Sequence, residues 1–111
     1  MQISIDTDQF DALQIRVLEE IIRSVASELK AVGITDDAAL SEAVGNIAFS
    51  VATIIDGSRV MELEGSAVVP VLTFAKERDG EELIAAEGGS WMHEYVFGAV
   101  DDVLFGEDGG E

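Results

Sequence analysis

Ser90, His93 and Glu94 stand close together, and they are the residue types from which a hydrolase assembles nucleophile, base and orienting acid. In a helix, side chains three positions apart can touch, so Ser90 and His93 could share a hydrogen bond. An N-cap serine produces the same spacing when its hydroxyl turns to the backbone N–H three residues on. No strand-turn-helix elbow of the G-x-S-x-G type occurs in the chain. Ser90 is therefore read as a cap, and no catalytic residue is assigned.

Metal and phosphate chemistry is sparsely supplied. His93 is the only histidine and cysteine is absent, so a zinc ion would have to take its other ligands from carboxylates. Asp6, Asp8 and Asp11 imitate the opening of a calcium loop, but the mid-loop glycine is missing and Val17 stands where the bidentate glutamate belongs. Gly88-Gly89-Ser90 offers backbone N–H groups ahead of a helix, where an anion is welcome. It lacks the spaced glycines and the lysine of the nucleotide-binding loops. Neither a metal nor a cofactor is assigned. A small-molecule binder or carboxylate enzyme would place its ligand between sheet and helices, with Glu62, Glu64, Glu87 and His93 as the residues to watch.

These side chains must be positioned by helices and strands whose periods differ along the chain. Ile3-Ser4-Ile5 alternates as a short strand or a frayed terminus. From Asp8 to Val32 the spacing of Phe10, Leu13, Val17, Ile21, Val25 and Leu29 predicts a helix, and Leu18, Ile22 and Val32 widen its apolar stripe. Thr7 or Asp8 would cap it and Gly33 would stop it. A second helix is expected over 36–56, capped by Thr35, with Leu40, Val44, Ile47, Val51 and Ile54 on one face and a small-residue strip of Gly45, Ala48 and Ala52 beside it. The short link around Gly33-Ile34 suggests an antiparallel pair.

After Gly57 the period shortens to two. A strand over 59–64 would turn at Gly65-Ser66 into a longer one over 67–77, with Pro70 marking an edge or a bulge. Asp79-Gly80 would close a hairpin onto the strand 82–86. A final helix is expected from Ser90 to Leu104, followed by a flexible acidic tail, 106–111. Two helices, two or three antiparallel strands and a C-terminal helix packed on one sheet face make an α+β fold, a single domain over 1–105.

Composition narrows function more than any motif does. Six Lys and Arg face 23 Asp and Glu among 111 residues, a formal net charge of −17. Nucleic-acid affinity rests on cations that neutralise phosphates, so neither a nucleic acid nor an anionic membrane is an expected partner. Opposite charge favours a basic protein partner, although solubility or salt adaptation would also account for the acidity. The chain opens without a basic segment leading into a long apolar run, and no apolar stretch reaches the ~20 residues that span a bilayer. A cytoplasmic setting is expected, which the lack of cysteine permits.

The last helix carries the strongest hint of contact. Trp91 and Tyr95 have apolar bodies with polar edges, as interface anchors do. Asp101 and Asp102 place negative charge at a helix end that is already negative. Together with Asp36 and Asp37 they form the expected protein-binding surface, and self-association through the last or the first helix predicts a homodimer. The leading expectation is a small, acidic, non-catalytic binding or regulatory protein, such as an immunity or inhibitor protein that masks a basic partner. A purely structural, self-associating subunit is the third alternative, after the small-molecule binder.

Overall fold

The computed structural model describes residues 2–106. Its order is β1 (Gln2–Ile5), α1 (Thr7–Ala31), α2 (Asp37–Ile55), β2 (Met61–Leu63), β3 (Ser66–Val68), β4 (Glu82–Ala85), a 3₁₀ helix (Met92–Tyr95) and α3 (Val96–Phe105). The fold is α+β, three helices with small sheets. The acidic tail expected over 106–111 lies, apart from Gly106, outside the described residues.

Both long helices start one residue away from the caps expected of them, for local reasons. Asp6 donates its N–H to the Ala85 carbonyl and offers its own carbonyl to Phe10 N–H. It is thus the last residue of strand geometry and the first helical acceptor. Its carboxylate caps α1 by accepting from Gln9 N–H at 3.1 Å. Thr7, already helical, has no such role. Asp36, in extended backbone, caps α2 through Ala39 N–H at 3.0 Å, displacing Thr35. At the far end of α1, Gly33 adopts φ +98°, which lets the Ile34 N–H return to the Leu29 carbonyl.

The buried line of α1 is Phe10, Gln14, Leu18, Ile22 and Ala26; Phe10, Leu18 and Ile22 belong to the widened stripe expected, and Gln14 and Ala26 do not. Leu13, Val17, Ile21, Val25 and Leu29 flank it, half-buried. Gln14 sits in the middle of an otherwise apolar series and hid its period. On α2 the small-residue strip goes inward: Leu40, Val44, Gly45, Ala48 and Ala52 are buried, while Ile47 and Ile54 stay exposed. The reason is close approach by α3. A Cβ on Gly45 would stand 2.9 Å from the Phe97 ring.

Met92, Val96, Ala99, Val100 and Val103 complete this core. The C-terminal helix therefore packs on α1 and α2 and touches no strand, which corrects its expected place on a sheet face. By length and composition alone α2 is long and apolar enough to cross a bilayer, yet its inward face belongs to this three-helix core.

The strands depart further from expectation. β1 pairs with β4 in parallel, Gln2 opposite Glu82 through Ile5 opposite Ala85. β2 and β3 pair antiparallel, with Met61 opposite Val68 and Leu63 opposite Ser66. The long strand expected over 67–77 ends at Val68, just before Pro70, which has no N–H to give a ladder. Where a hairpin was expected at Asp79-Gly80, the chain does reverse, with Gly80 N–H on the Glu77 carbonyl. The Phe74–Ile84 bridge is the one isolated pairing there. Around it a second small core gathers Phe10, Ile84 and Ala86 with Leu13, Leu72 and Phe74, and the two phenylalanine rings meet edge to face at 5.3 Å.

Candidate functional site

The most concentrated polar chemistry lies where α2 ends and the 3₁₀ helix begins. Asp56 follows the last residue of α2 as its C-cap, and its carboxylate turns back into the molecule. Oδ2 accepts the His93 N–H at 3.1 Å and lies 2.5 Å from His93 Nδ1. Oδ1 accepts the Ser58 N–H at 3.0 Å, and Ser58 Oγ stands 3.2 Å from the same Nδ1. The Asp56 side chain is 0% exposed, though it sits at shallow depth, and that of His93 is 21% exposed.

Burial alone would raise the Asp56 carboxyl. The hydrogen bonds from the His93 ring, the His93 N–H and both polar groups of Ser58 outweigh it and hold the carboxyl below its ordinary value. Phe49 meets the imidazole edge-on at 5.6 Å, Trp91 leans over it at 6.2 Å, and Phe97 stacks on Phe49. A carboxylate acceptor at Nδ1 selects the tautomer that carries its proton there and leaves Nε2 as a free acceptor. That is the arrangement of an oriented general base. Ser58, however, approaches Nδ1 and not Nε2, so it is not placed as the nucleophile of a triad.

Sequence reasoning missed Asp56. The signal was present: it is the only carboxylate between Glu42 and Glu62. Its partner lies 37 residues away, and no local pattern joins them.

Ser90, paired with His93 in the sequence, serves elsewhere. Its buried hydroxyl donates to Gln14 Oε1 at 2.8 Å and accepts the Met92 N–H at 3.3 Å. Gln14 in turn donates to Asp11. This chain of bonds satisfies the polar residue in the middle of the α1 stripe. Glu62, Glu64 and Glu87 are exposed. The first two lie in or beside the β2–β3 hairpin, and Glu87 meets the Thr7 hydroxyl through its N–H. None of the three meets His93. A narrow crevice of about 160 Å³ does run beside Asp56, between 69–72 and the Gly88-Gly89-Ser90 turn.

The residues expected at a protein-binding surface are all exposed. Tyr95 and Asp102 share a shallow groove between α1 and α3, floored by Ile15, Gly98 and Ala99 and walled by Glu19 and Glu94. Trp91 stands beside His93, Asp101 lies on α3, and Asp36 and Asp37 occupy the start of α2, outside that groove. Among the described residues no group of three or more histidines and acids is arranged to hold a metal ion. No family model matches this chain, and neither a curated protein nor a solved structure matches it either.

Proposed function

We propose that this chain is a non-catalytic binding protein, self-associating as a homodimer, that meets a basic protein partner as a small inhibitor or immunity protein does. The observation that carries this reading is the supply of carboxylates without counterions. Among the described residues the Lys and Arg ion pairs are Arg16 with Glu19 and Glu20, and Arg23 with Glu20, all on α1. The groove that holds Tyr95 collects Glu94 and Asp102 with an apolar floor, a combination suited to a long cationic side chain with its apolar stem. A cytoplasmic setting and an antiparallel α1–α2 pair belong to the same reading. The absence of cysteine supports the first and the short 32–36 link supports the second.

The test is capture of partners at low ionic strength by the intact chain and by Glu94→Gln/Asp102→Asn. Basic proteins should be retained by the first, lost from the second, and released by salt as the screening length falls from about 10 Å at 0.1 M to about 3 Å at 1 M. Retention of no basic protein would sink the proposal.

A second reading, a small-molecule site, is favoured by one observation: Asp56 orients the imidazole of His93 and leaves Nε2 free. Screening ligands against the His93 ring signals in NMR tests it. A ring undisturbed by every compound in the screen counts against the reading.

A further inference from the structure

We infer that the β2–β3 hairpin is a dimerisation arm that docks on a second copy of this chain. This rests on the self-association proposed above and adds the surface through which it occurs.

The hairpin is built but unsupported. Its turn places Glu64 at φ 52° and Gly65 at φ 83°, positive at both central positions, as the tight turns that match strand twist require. Among the described residues, β2 and β3 pack on no other strand or helix. All six strand residues are exposed, and a lone two-stranded ribbon is marginal in water. The exposed side chains are nevertheless apolar: Val60, Met61, Leu63, Val68, Val69 and Val71 range from 39% (Val68) to 73% (Val71) exposed. By register Met61, Leu63 and Val68 share one face. An apolar ribbon of this kind is an association surface.

Charge identifies the occupant. Two chains of −17 repel wherever their carboxylates meet, so they can approach only through tracts that lack them. There are two such long tracts. Residues 65–75 hold no charge at all, and 43–55, on α2, hold none either. The second presents Ile47 and Ile54, two turns apart on one face, to solvent. Asp56, which would end it with a negative charge, is turned inward onto His93 with no exposed side-chain surface. At the same end the Arg59 guanidinium lies along α2, bonded to Ser50 and Thr53. The Met61, Leu63 and Val68 face of one arm, with Glu62 on its opposite face and Glu64 at the turn, meets the α2 face of the other copy, where the nearby charge is the cation of Arg59, and a two-fold axis repeats the contact. A basic partner would be drawn to the carboxylates instead, and an anionic membrane would repel the molecule.

Analytical ultracentrifugation of the full chain, over a concentration series at low and high salt, tests this. The wild type should form a dimer that salt strengthens, because screening removes repulsion between like-charged copies. Leu63→Asp/Val68→Asp should weaken the dimer at least about 30-fold, as loss of interface anchors does, with the helical circular dichroism unchanged. Trp91→Ala should leave the dimer intact. A wild type that stays monomeric overturns self-association itself. A wild-type dimer that survives Leu63→Asp/Val68→Asp, is lost with Trp91→Ala, or is weakened by salt leaves self-association standing and overturns the arm. Flotation of the wild type with phosphatidylcholine vesicles would assign the apolar ribbon to a membrane and overturn the arm as well.

Discussion

The three-helix body and the β2–β3 hairpin are both apolar, yet they use their apolar residues in opposite ways. In the body, Leu18, Ile22, Val44, Met92 and Val96 are wholly buried, and small residues let α2 and α3 approach until Gly45 meets Phe97. In the hairpin, Met61, Leu63 and Val68 stay exposed to water. Hydrophobic content alone therefore says little about where stability resides. Stability follows area removed from water, at roughly 25 cal/mol per Å², and the hairpin buries none of its apolar side chains fully. It carries the apolar surface of a core without the partner that would make it one.

The sharpest way to break this contrast is a pair of truncations. Leu18→Ala empties a site in the closed core and should cost about 2–5 kcal/mol. Leu63→Ala, at a residue 65% exposed, should change the stability of the monomer by less than about 0.5 kcal/mol. Urea denaturation at concentrations too low for dimer formation measures both. Equal costs would mean that the hairpin packs on the body in solution, and the distinction between the two regions would fall.

How much of this contrast the sequence disclosed depends on how far apart the causes lie. The helices were legible because Phe10, Leu18, Ile22, Leu40 and Val44 recur within the reach of one period. The errors there were small and physical. Gln14 interrupts the stripe of α1 and is satisfied by Ser90, 76 residues away. Asp6 becomes a cap only because β4 holds its N–H. The strands were poorly legible because their pairing is non-local. β1 could be read as a short strand or a frayed end until β4 supplied its parallel partner, and Pro70 halted a strand that hydropathy alone would have carried to Glu77. Of the candidate site, His93 was visible as the only imidazole, whereas Asp56 required the fold to bring the end of α2 to the 3₁₀ helix.

Asp56 stands at the border between the two regions, and its replacement sharpens the comparison at an intermediate cost. Asp56→Asn keeps the shape but removes the charge that accepts from His93 and Ser58, and should cost about 1–3 kcal/mol at neutral pH. The pH dependence has a definite sign. The folded carboxyl is held below its ordinary value of 3.8, so its contribution is fully present above that value and is lost as pH falls through the lowered one. The gap between wild type and Asp56→Asn should therefore close below about pH 4. Denaturation curves at a series of pH values check this. A gap that persists undiminished into strong acid would mean that the charge contributes nothing and only packing was lost.

The smallest expected effect asks whether the hairpin is thermodynamically coupled to the body at all. Glu64 occupies the left-handed region at φ 52°, where a long side chain is disfavoured and Asn or Gly is at ease. Glu64→Asn should stabilise the turn by about 0.5 kcal/mol, a factor of about two in its local opening equilibrium. Because, among the described residues, β2 and β3 pack on no other element, that gain should stay within the ribbon. Amide exchange at the β2–β3 pairs should slow by about that factor, while exchange from Leu18 and Val44 in the core stays as it was. Dimerisation couples the two regions through the second copy. At concentrations that favour the dimer, the same substitution should therefore also slow exchange in the core. Core protection that rises already in the dilute monomer would show that the hairpin and the three helices unfold together, and that the ribbon is part of one cooperative unit after all.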